Sequence, residues 1–172
     1  MRLFEYIQQG GTIMYILLLL NIVGFAIMIA KFYIFSSEVK NTAQSSDTLS
    51  EAIKTKTENK DANTIIELTK QEIAQYIGKL EKGMNTIKII ASISPLFGLL
   101  GTVIGVLIAF QVMSKTGLNN PSSFAKGISM ALLTTVAGMI VAIPHYIGHN
   151  YLLGILDKLE SDIEKKVLNK VL

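Results

Sequence analysis

The sequence lacks cysteine and is poor in charge. None of its 172 residues is a cysteine, which excludes disulfides and thiolate metal sites. Charged residues make up only 17% of the chain, below the roughly 25% of a typical soluble domain, and half of the residues are hydrophobic. The few charges are also segregated, so that long stretches contain none. This composition predicts a membrane protein.

Three stretches contain no aspartate, glutamate, lysine or arginine: 10–30, 89–114 and 127–156. A helix needs about 20 apolar residues to cross the hydrocarbon core of a bilayer, and each stretch is long enough. We therefore predict an all-α integral membrane protein with three transmembrane helices. A soluble bundle of buried helices is the alternative, but it would have too little polar surface. The first stretch is longer than the apolar core of a signal peptide and no cleavage site follows it, so we expect it to be retained.

The apolar stretches contain no carboxylate, and the chain has no catalytic signature. GxSxG, HExxH and P-loop patterns are absent from the sequence, so we expect neither an enzyme nor a cofactor. Membrane ion pathways use acids and histidines, so any titrating carboxylate on such a pathway must come from another polypeptide. His145 and His149 have a spacing that suits two metal ligands. No further ligand lies nearby in sequence, so we expect an interfacial or cavity-facing pair and no metal.

The basic residues predict the orientation of the chain. Of the 16 lysines and arginines, nine lie in 31–88 and four in the tail from 151. Basic residues favour the cytoplasmic side, so the N-terminus and the link between spans two and three are expected outside. Acidic residues nearly balance the lysines of 31–88, and no nucleic-acid partner is expected. The predicted divisions are a short external amphipathic N-terminus at 1–11, transmembrane helix 1 at 12–35, a cytoplasmic region at 36–88, transmembrane helix 2 at 89–113, an external loop at 114–126, transmembrane helix 3 at 127–150 and a cytoplasmic C-terminal helix at 151–172.

Two apolar stripes with three- and four-residue spacing predict amphipathic helices outside the spans. The stripes are Ile66, Ile73, Ile77, Leu80, Met84 and Ile87, and Leu152, Leu156, Leu159, Ile163, Val167 and Val171. The first stripe runs into span two, so we expect one long unbroken helix there. The polar segment 36–64 is expected to be part loop and part helix, and 117–123 to form a turn. Packing of one helix on the other explains the stripes most simply, and a ligand groove is the alternative.

Small and hydroxyl residues recur inside spans two and three. Stripes of this kind let helix backbones approach closely in lipid. The members are Gly98, Gly101 and Gly105 in span two, and Gly127, Ala131, Thr134 or Thr135, Gly138 and Ala142 in span three. Thr102 and Thr135 each lie eight residues, roughly 12 Å, from the outer end of their span. Two hydroxyls at one level are able to line a polar track, or each hydroxyl bonds the carbonyl four residues earlier in its own helix.

The sequences SPLFGLLGTVIG in span two and FAKGISMALLTTVAGMIVAIP in span three resemble the ExbB/TolQ/MotA proton-channel family, and FEYIQQGGTIMY resembles its ExbB branch. The resemblance covers nearly the whole chain. It implies a homo-oligomeric ring, typically of five chains, in the bacterial inner membrane, with the external side in the periplasm and helices two and three extended into the cytoplasm. The ring would surround membrane helices of an ExbD-like partner that supplies an aspartate. Proton flow would then drive a TonB-like protein for import across the outer membrane.

The resemblance also assigns residues. It places Thr102, Thr135 and the neighbouring Thr134 on a proton path that faces the partner's aspartate. The surrounding frame of helix-packing residues consists of Pro95, Gly98, Gly101, Gly105, Ala131 and Gly138. Met130 departs from the pattern, because many ExbB and TolQ proteins have a glutamate there and a thioether cannot titrate. A TolQ-like role in envelope maintenance and a purely structural membrane scaffold are the alternative functions.

Overall fold

The chain is helical throughout the residues that the computed structural model describes, which are 2–57, 61–117 and 121–171, apart from short connections. The all-α prediction is therefore confirmed for these residues. The elements are α1 (Arg2–Gln9), α2 (Gly11–Lys40), α3 (Thr42–Thr57), α4 (Ala62–Glu81), α5 (Met84–Thr116) and α6 (Pro121–Val171). Pro121 suits the start of α6, because the first helical residue needs no hydrogen-bonded N–H.

Three of these helices are long and apolar enough to cross a membrane, as predicted. By length and composition they are Gly11–Lys40, Met84–Lys115 and Phe124–Val171. Only 17 to 33% of the residues in their most apolar windows are buried inside the chain. Side chains such as Leu19, Ile22 and Leu96 are more than 60% exposed. A water-soluble bundle would cover such residues, whereas lipid solvates them, so the exposure favours a multi-pass membrane protein.

The prediction of one unbroken helix through the first apolar stripe is wrong. The helix α4 ends at Glu81 and α5 begins at Met84. Between them Gly83 has a φ of +94°, which glycine adopts without strain and which cannot continue an α-helix. The stripe nevertheless stays buried on both sides of the break, at Ile77 and Met84. Hydrophobic periodicity therefore did not reveal the interruption.

The two connecting segments also differ from the expectations. The segment 36–64 is mostly helical where the structure describes it, because α2 continues to Lys40 and α3 follows after a single turn residue. In the expected turn at 117–123, Gly117 has a φ of +67° and α6 already begins at Pro121. Residues 58–60 and 118–120 lie outside the described part of the chain.

The chain divides into two compact units. The first unit contains Met1–Ile27 and Thr86–Gly148 and includes most of the apolar spans. Its core cluster of buried residues consists of Ile13, Leu17, Ile90 and Val141. The second unit contains Met28–Asn85 and His149–Leu172.

His145 is fully buried in the first unit, at the contact between α2 and α6. Its Nδ1 atom lies 2.6 Å from the carbonyl oxygen of Val141, so Nδ1 donates a hydrogen bond within α6. The ring lies edge-on to Phe25, with 4.9 Å between ring centroids. A methyl group on Gly24 would overlap the imidazole. His145 therefore fills a recess that exists because position 24 has no side chain, while His149 is only half-buried.

Small polar residues form the buried face of α3 in the second unit. This face consists of Thr42, Ser46, Ser50, Ile53 and Thr57. The hydroxyls are satisfied within the helix: Ser46 Oγ donates to the carbonyl of Thr42 at 2.6 Å, and Ser50 Oγ donates to that of Ser46 at 2.7 Å. Buried hydroxyls with partners cost little, and their small size allows close helix packing. On the neighbouring α4, Thr69, Ile73 and Ile77 are buried.

The predicted stripe in the tail is buried from Leu152 to Val167. Both apolar stripes therefore contribute to helix packing, which was the simpler of the two explanations.

A hydrogen bond ties the end of α2 to α4. The hydroxyl of Tyr76 donates to Glu38 Oε2 at 2.7 Å, and Ser45 Oγ donates to the same oxygen at 3.0 Å. Burial of the ring, together with the nearby Glu38 carboxylate, raises the pKa of Tyr76. Because its pKa is higher in the folded state, the stabilisation by Tyr76 is complete below about pH 10 and is lost as the pH rises through the raised value.

We predict that Tyr76→Phe lowers the free energy of unfolding by about 1 kcal/mol at neutral pH, because Glu38 loses a hydrogen-bond donor. The difference from wild type should shrink above about pH 10 as the phenol ionises. Denaturant unfolding in detergent, at neutral pH and above about pH 10, measures this difference in the free energy of unfolding. The control is Tyr33→Phe, since Tyr33 lies on α2, the helix that carries Glu38, and is 74% exposed. A Tyr76→Phe effect equal to that of the control, or independent of pH, would contradict the prediction.

We also predict that Gly24→Ala destabilises the protein by about 1–3 kcal/mol, the usual cost of overpacking, because the added methyl overlaps His145. Adding His145→Ala should recover part of this loss, since it vacates the space. The matched control is Gly78→Ala, where a methyl group meets nothing within 4 Å and helix propensity favours alanine. Thermal unfolding of wild type and of these three variants tests this idea, which fails if Gly24→Ala is as benign as Gly78→Ala.

Candidate functional site

The helices α5 and α6 touch along glycines, where their backbones meet without intervening side chains. A methyl group on Gly105 would lie 2.8 Å from the backbone nitrogen of Ala131. One on Gly138 would lie 2.7 Å from the carbonyl oxygen of Ser94 and 3.1 Å from the Cα of Gly98. Real Cβ atoms do not sit this close to backbone, so side chains at these positions would push the helices apart. In lipid such close approach replaces the hydrophobic driving force.

Thr102 on α5 and Thr135 on α6 meet across this contact, and their hydroxyls are hydrogen-bonded to each other. Thr102 Oγ1 lies 3.2 Å from the carbonyl oxygens of both Gly98 and Ala131. Thr135 Oγ1 lies 3.3 Å from the same two carbonyls. Each hydroxyl is thus within reach of its own helix and of the neighbouring one. Both explanations offered by the sequence therefore coexist: the hydroxyls lie at one level, and each reaches the carbonyl four residues earlier.

The two hydroxyls have fewer protons than acceptors. Each threonine brings one O–H donor and two lone pairs, and the surrounding carbonyls of Gly98 and Ala131 only accept. When one hydroxyl donates to the other, lone pairs remain open on the pair. Both side chains are only half-buried, so a further polar group is able to reach them. The pair can donate to a carboxylate or accept from a carboxylic acid by rotating its O–H bonds.

Thr134 also lies at the contact between α5 and α6, but its hydroxyl is not bonded to Thr102 or Thr135. It is fully buried, and its hydroxyl donates within α6, 2.9 Å from the carbonyl oxygen of Ala131 and 3.1 Å from that of Met130. A methyl group on Gly101 would overlap the Thr134 side chain. Thr134 therefore occupies the space left by Gly101, and its place on a proton path stays a prediction.

The remaining predicted residues lie around this contact. Pro95 is exposed within α5, which continues through it. Met130 is half-buried, and a methyl group on Gly11 would lie 3.1 Å from its Cε atom. The described residues contain no group of three or more histidines, aspartates or glutamates able to hold a metal ion. The site is thus built from hydroxyl and carbonyl oxygens.

The contacts of each hydroxyl with the carbonyl of the neighbouring helix could not be predicted from the sequence. The rule that a helical threonine bonds the carbonyl four residues earlier identifies Gly98 for Thr102 and Ala131 for Thr135. It does not reveal that each carbonyl also lies near the hydroxyl of the other helix. The glycine spacing was the one available signal, because only closely packed backbones bring both carbonyls within reach.

Three long apolar helices and an oxygen-lined contact between two of them define a multi-pass α-helical membrane protein. Comparison with known families narrows this class. The model of the MotA/TolQ/ExbB proton channel family matches residues 35–165, which is most of the chain. The chain belongs to this family.

Similar proteins occur in several organisms. The chain is 40% identical over 79 residues to the biopolymer transport protein ExbB of Aquifex aeolicus, a match covering 46% of this chain and 53% of the relative. It is 39% identical over 74 residues to ExbB of Helicobacter pylori, covering 43% and 51%. A putative ExbB homologue of Methanothermobacter thermautotrophicus is 35% identical over 96 residues, covering 54% and 33%. The chain thus spans about half the length, or less, of these curated relatives, and among named proteins it is most like ExbB.

We predict that Thr102→Val and Thr135→Val are energetically coupled. Each variant removes one hydroxyl while keeping the side-chain shape, and the double variant should lose less stability than the two losses added together. Membrane hydrogen bonds measured in this way average about 0.6 kcal/mol and reach about 1.7 kcal/mol. Unfolding of the four proteins in mixed micelles gives the coupling.

The control for this cycle pairs Thr102→Val with Ser92→Ala. Ser92 lies ten residues away on the same helix and bonds the carbonyl of Lys88 at 2.9 Å, so these effects should add. Additive effects of Thr102→Val and Thr135→Val would show that the pair makes no net interaction.

Proposed function

We propose that the chain is the proton-channel and motor subunit of an ExbB-like inner-membrane complex. In this proposal identical chains form a ring, with five as the expected number. The ring surrounds the membrane helices of an ExbD-like partner and uses the proton motive force to energise a TonB-like protein for import across the outer membrane. Membership in a proton channel family and the names of the similar proteins support transport rather than catalysis.

The observation that carries the proposal is the half-buried hydroxyl pair of Thr102 and Thr135. It is a hydrogen-bonded polar feature on otherwise apolar helices, and it lies in the part of the chain that the family model covers. No aspartate or glutamate occurs from 82 to 156 of the sequence. A pathway through this contact therefore needs a carboxylate from another chain, which the proposed partner supplies.

The chemistry of the pair suits a carboxylate that alternates between two states. When the partner's aspartate is charged, both threonines are able to donate to it. When it is protonated, its O–H is able to donate to an open lone pair of Thr102 or Thr135. A proton that falls through the membrane potential releases about 2.3 kcal/mol per 100 mV. The pair would stabilise the aspartate in both states, and the potential would drive its exchange between them.

Because Met130 has no ionisable group, the carboxyl group that gains and loses the proton has to belong to the partner in this proposal. Many ExbB and TolQ proteins have a glutamate at this position, whereas here a thioether lies near Gly11. In this proposal the partner's aspartate is the titrating group at that depth, and the glutamate is dispensable.

The proposed orientation has the N-terminus in the periplasm and the C-terminus in the cytoplasm. The distribution of lysines supports it, since positively charged segments favour the cytoplasmic side. The polar second unit would then form the cytoplasmic extension of the ring.

We predict that Thr102→Val and Thr135→Val lower proton flux through the complex by about tenfold or more while the ring still assembles, since a hydrogen bond to a charged group contributes about 1.5–3 kcal/mol. In each case a methyl group replaces the hydroxyl that would bond the partner's aspartate. The matched variants Thr102→Ser and Thr135→Ser keep the hydroxyl and should retain most of the flux. Thr134→Val tests whether the third threonine belongs to the path. Liposomes that contain the chain with an ExbD-like partner, under an imposed potential, provide the measurement.

Normal flux in both valine variants would refute the role of the hydroxyl pair. Absence of any flux in the wild-type complex would favour the structural scaffold instead. Intact flux combined with normal TonB-dependent uptake in a strain that lacks the chain would point to the TolQ-like role.

A further inference from the structure

A groove in the second unit combines apolar, aromatic and basic side chains. It has a volume of about 660 Å³. Its walls include Phe32, Ser36 and Lys40 of α2, and Tyr151, Gly154 and Lys158 of α6. A methyl group on Gly154 would meet nothing within 4 Å, so the groove is open there. We call this feature the Lys40–Lys158 groove.

The two walls have the same order of side chains. On α2 an aromatic residue, Phe32, is followed eight residues later by Lys40. On α6 Tyr151 is followed seven residues later by Lys158. At 1.5 Å per residue these separations are about 12 and 10 Å. The groove therefore has an aromatic end and a basic end.

The aromatic end lies on the side of the apolar spans. The uncharged stretch of α2 ends at Ala30, just before Phe32, and aromatic side chains concentrate where a membrane protein passes the headgroups. Tyr33 and Tyr151 are 74% and 62% exposed, in keeping with such an interface. Spans one and three of a three-span protein cross in the same direction, so Lys40 and Lys158 both lie beyond the membrane on the cytoplasmic side in the proposed orientation.

Helix geometry directs both lysines back towards the membrane. Side chains on an α-helix lean towards its N-terminus, which for α2 and α6 is the side of the spans. An extended lysine therefore brings its ammonium group closer to the headgroup layer than its Cα position indicates.

None of the described residues that line the groove is acidic. Asp157, Glu160 and Asp162 lie close to Lys158 in the sequence but are not among the wall residues. Neither Lys40 nor Lys158 forms an ion pair within the described residues. Glu38, near Lys40, is bonded to Tyr76 and Ser45. Lys31, which is closer to the span, donates to the carbonyl of Leu80 at 2.8 Å. The positive charge of the two lysines is thus complementary to an anion that comes from outside the chain.

We infer that the Lys40–Lys158 groove binds the headgroup of an anionic phospholipid of the cytoplasmic leaflet. The phosphate would accept hydrogen bonds from the two lysine ammonium groups, and Ser36, one helical turn before Lys40, offers a further hydroxyl donor. The acyl chains would pass Phe32 and Tyr151 towards the hydrocarbon core. Basic pockets next to cytoplasmic helix ends recognise lipids by this chemistry. The inference rests on the membrane placement and orientation of the proposed function, and on no step of proton movement.

Because the sequence contains no tryptophan, a single reporter can test the groove. We expect a Tyr151→Trp chain in nanodiscs to be quenched more by brominated phosphatidylglycerol than by brominated phosphatidylcholine at equal mole fraction. Each lysine should contribute about fivefold to the local enrichment of the anionic lipid, or roughly 30-fold for both. Tyr33 lies next to Phe32 on α2 but does not line the groove. A Tyr33→Trp chain should therefore be quenched equally by the two brominated lipids.

Charge reversal separates the groove from general attraction to the membrane. We expect Lys40→Glu with Lys158→Glu to abolish the preference at Tyr151→Trp. The control, Lys54→Glu with Lys70→Glu, has the same net charge at exposed positions on α3 and α4 and should preserve it.

Several results would overturn the inference. They are equal quenching by both lipids, a preference that survives Lys40→Glu with Lys158→Glu, an equal preference at Tyr33→Trp, and displacement of the anionic lipid by excess inorganic phosphate. The last result would assign the groove to a soluble anion. No quenching by either lipid would mean that a second copy of the chain covers the groove, which also overturns the lipid assignment. The chain alone suffices for this test, whereas proton flux needs the partner, so the two proposals fail separately.

Discussion

The close approach of α5 and α6 is the constraint on which the rest of the site depends. Glycines at 98, 105 and 138 let the two backbones touch, and only at that separation do the hydroxyls of Thr102 and Thr135 meet. A single larger side chain in this contact would leave each threonine bonded to its own helix. Residues that are poor helix formers in water thus create a shared polar pair in an apolar setting.

Small side chains bring helices together in both units, but the residue types differ between the two units. In the first unit glycines make the contacts, and the recess at Gly24 accommodates the buried ring of His145. In the second unit the buried face of α3 consists mostly of serine and threonine, and their hydroxyls bond the preceding turn. The hydroxyls of α3 thus have partners within their own helix, whereas Nε2 of the buried His145 has no hydrogen-bond partner among the described residues.

The division of charge along the chain connects structure with the proposed function. The sequence from 82 to 156 contains no acid, so the hydroxyl pair has no charge of its own and would serve a carboxylate from a partner. Lys40 and Lys158, which form no ion pair within the described residues, remain available to an anion at the proposed cytoplasmic surface. Membership in the MotA/TolQ/ExbB proton channel family is consistent with a chain that frames a pathway and leaves titration to a second protein.

The sequence by itself determined the all-α class, the three apolar spans, the burial of both amphipathic stripes and the level of the two threonines, because each follows from residue periodicity or helix rise. It missed the break at Gly83, since an apolar stripe continues across one turn without losing phase. It also left open whether Thr102 and Thr135 bond their own helices or each other. Only the tertiary structure decided that both occur, and that His145 is buried against Gly24, because these outcomes depend on the distance between two backbones, which no spacing along one helix specifies.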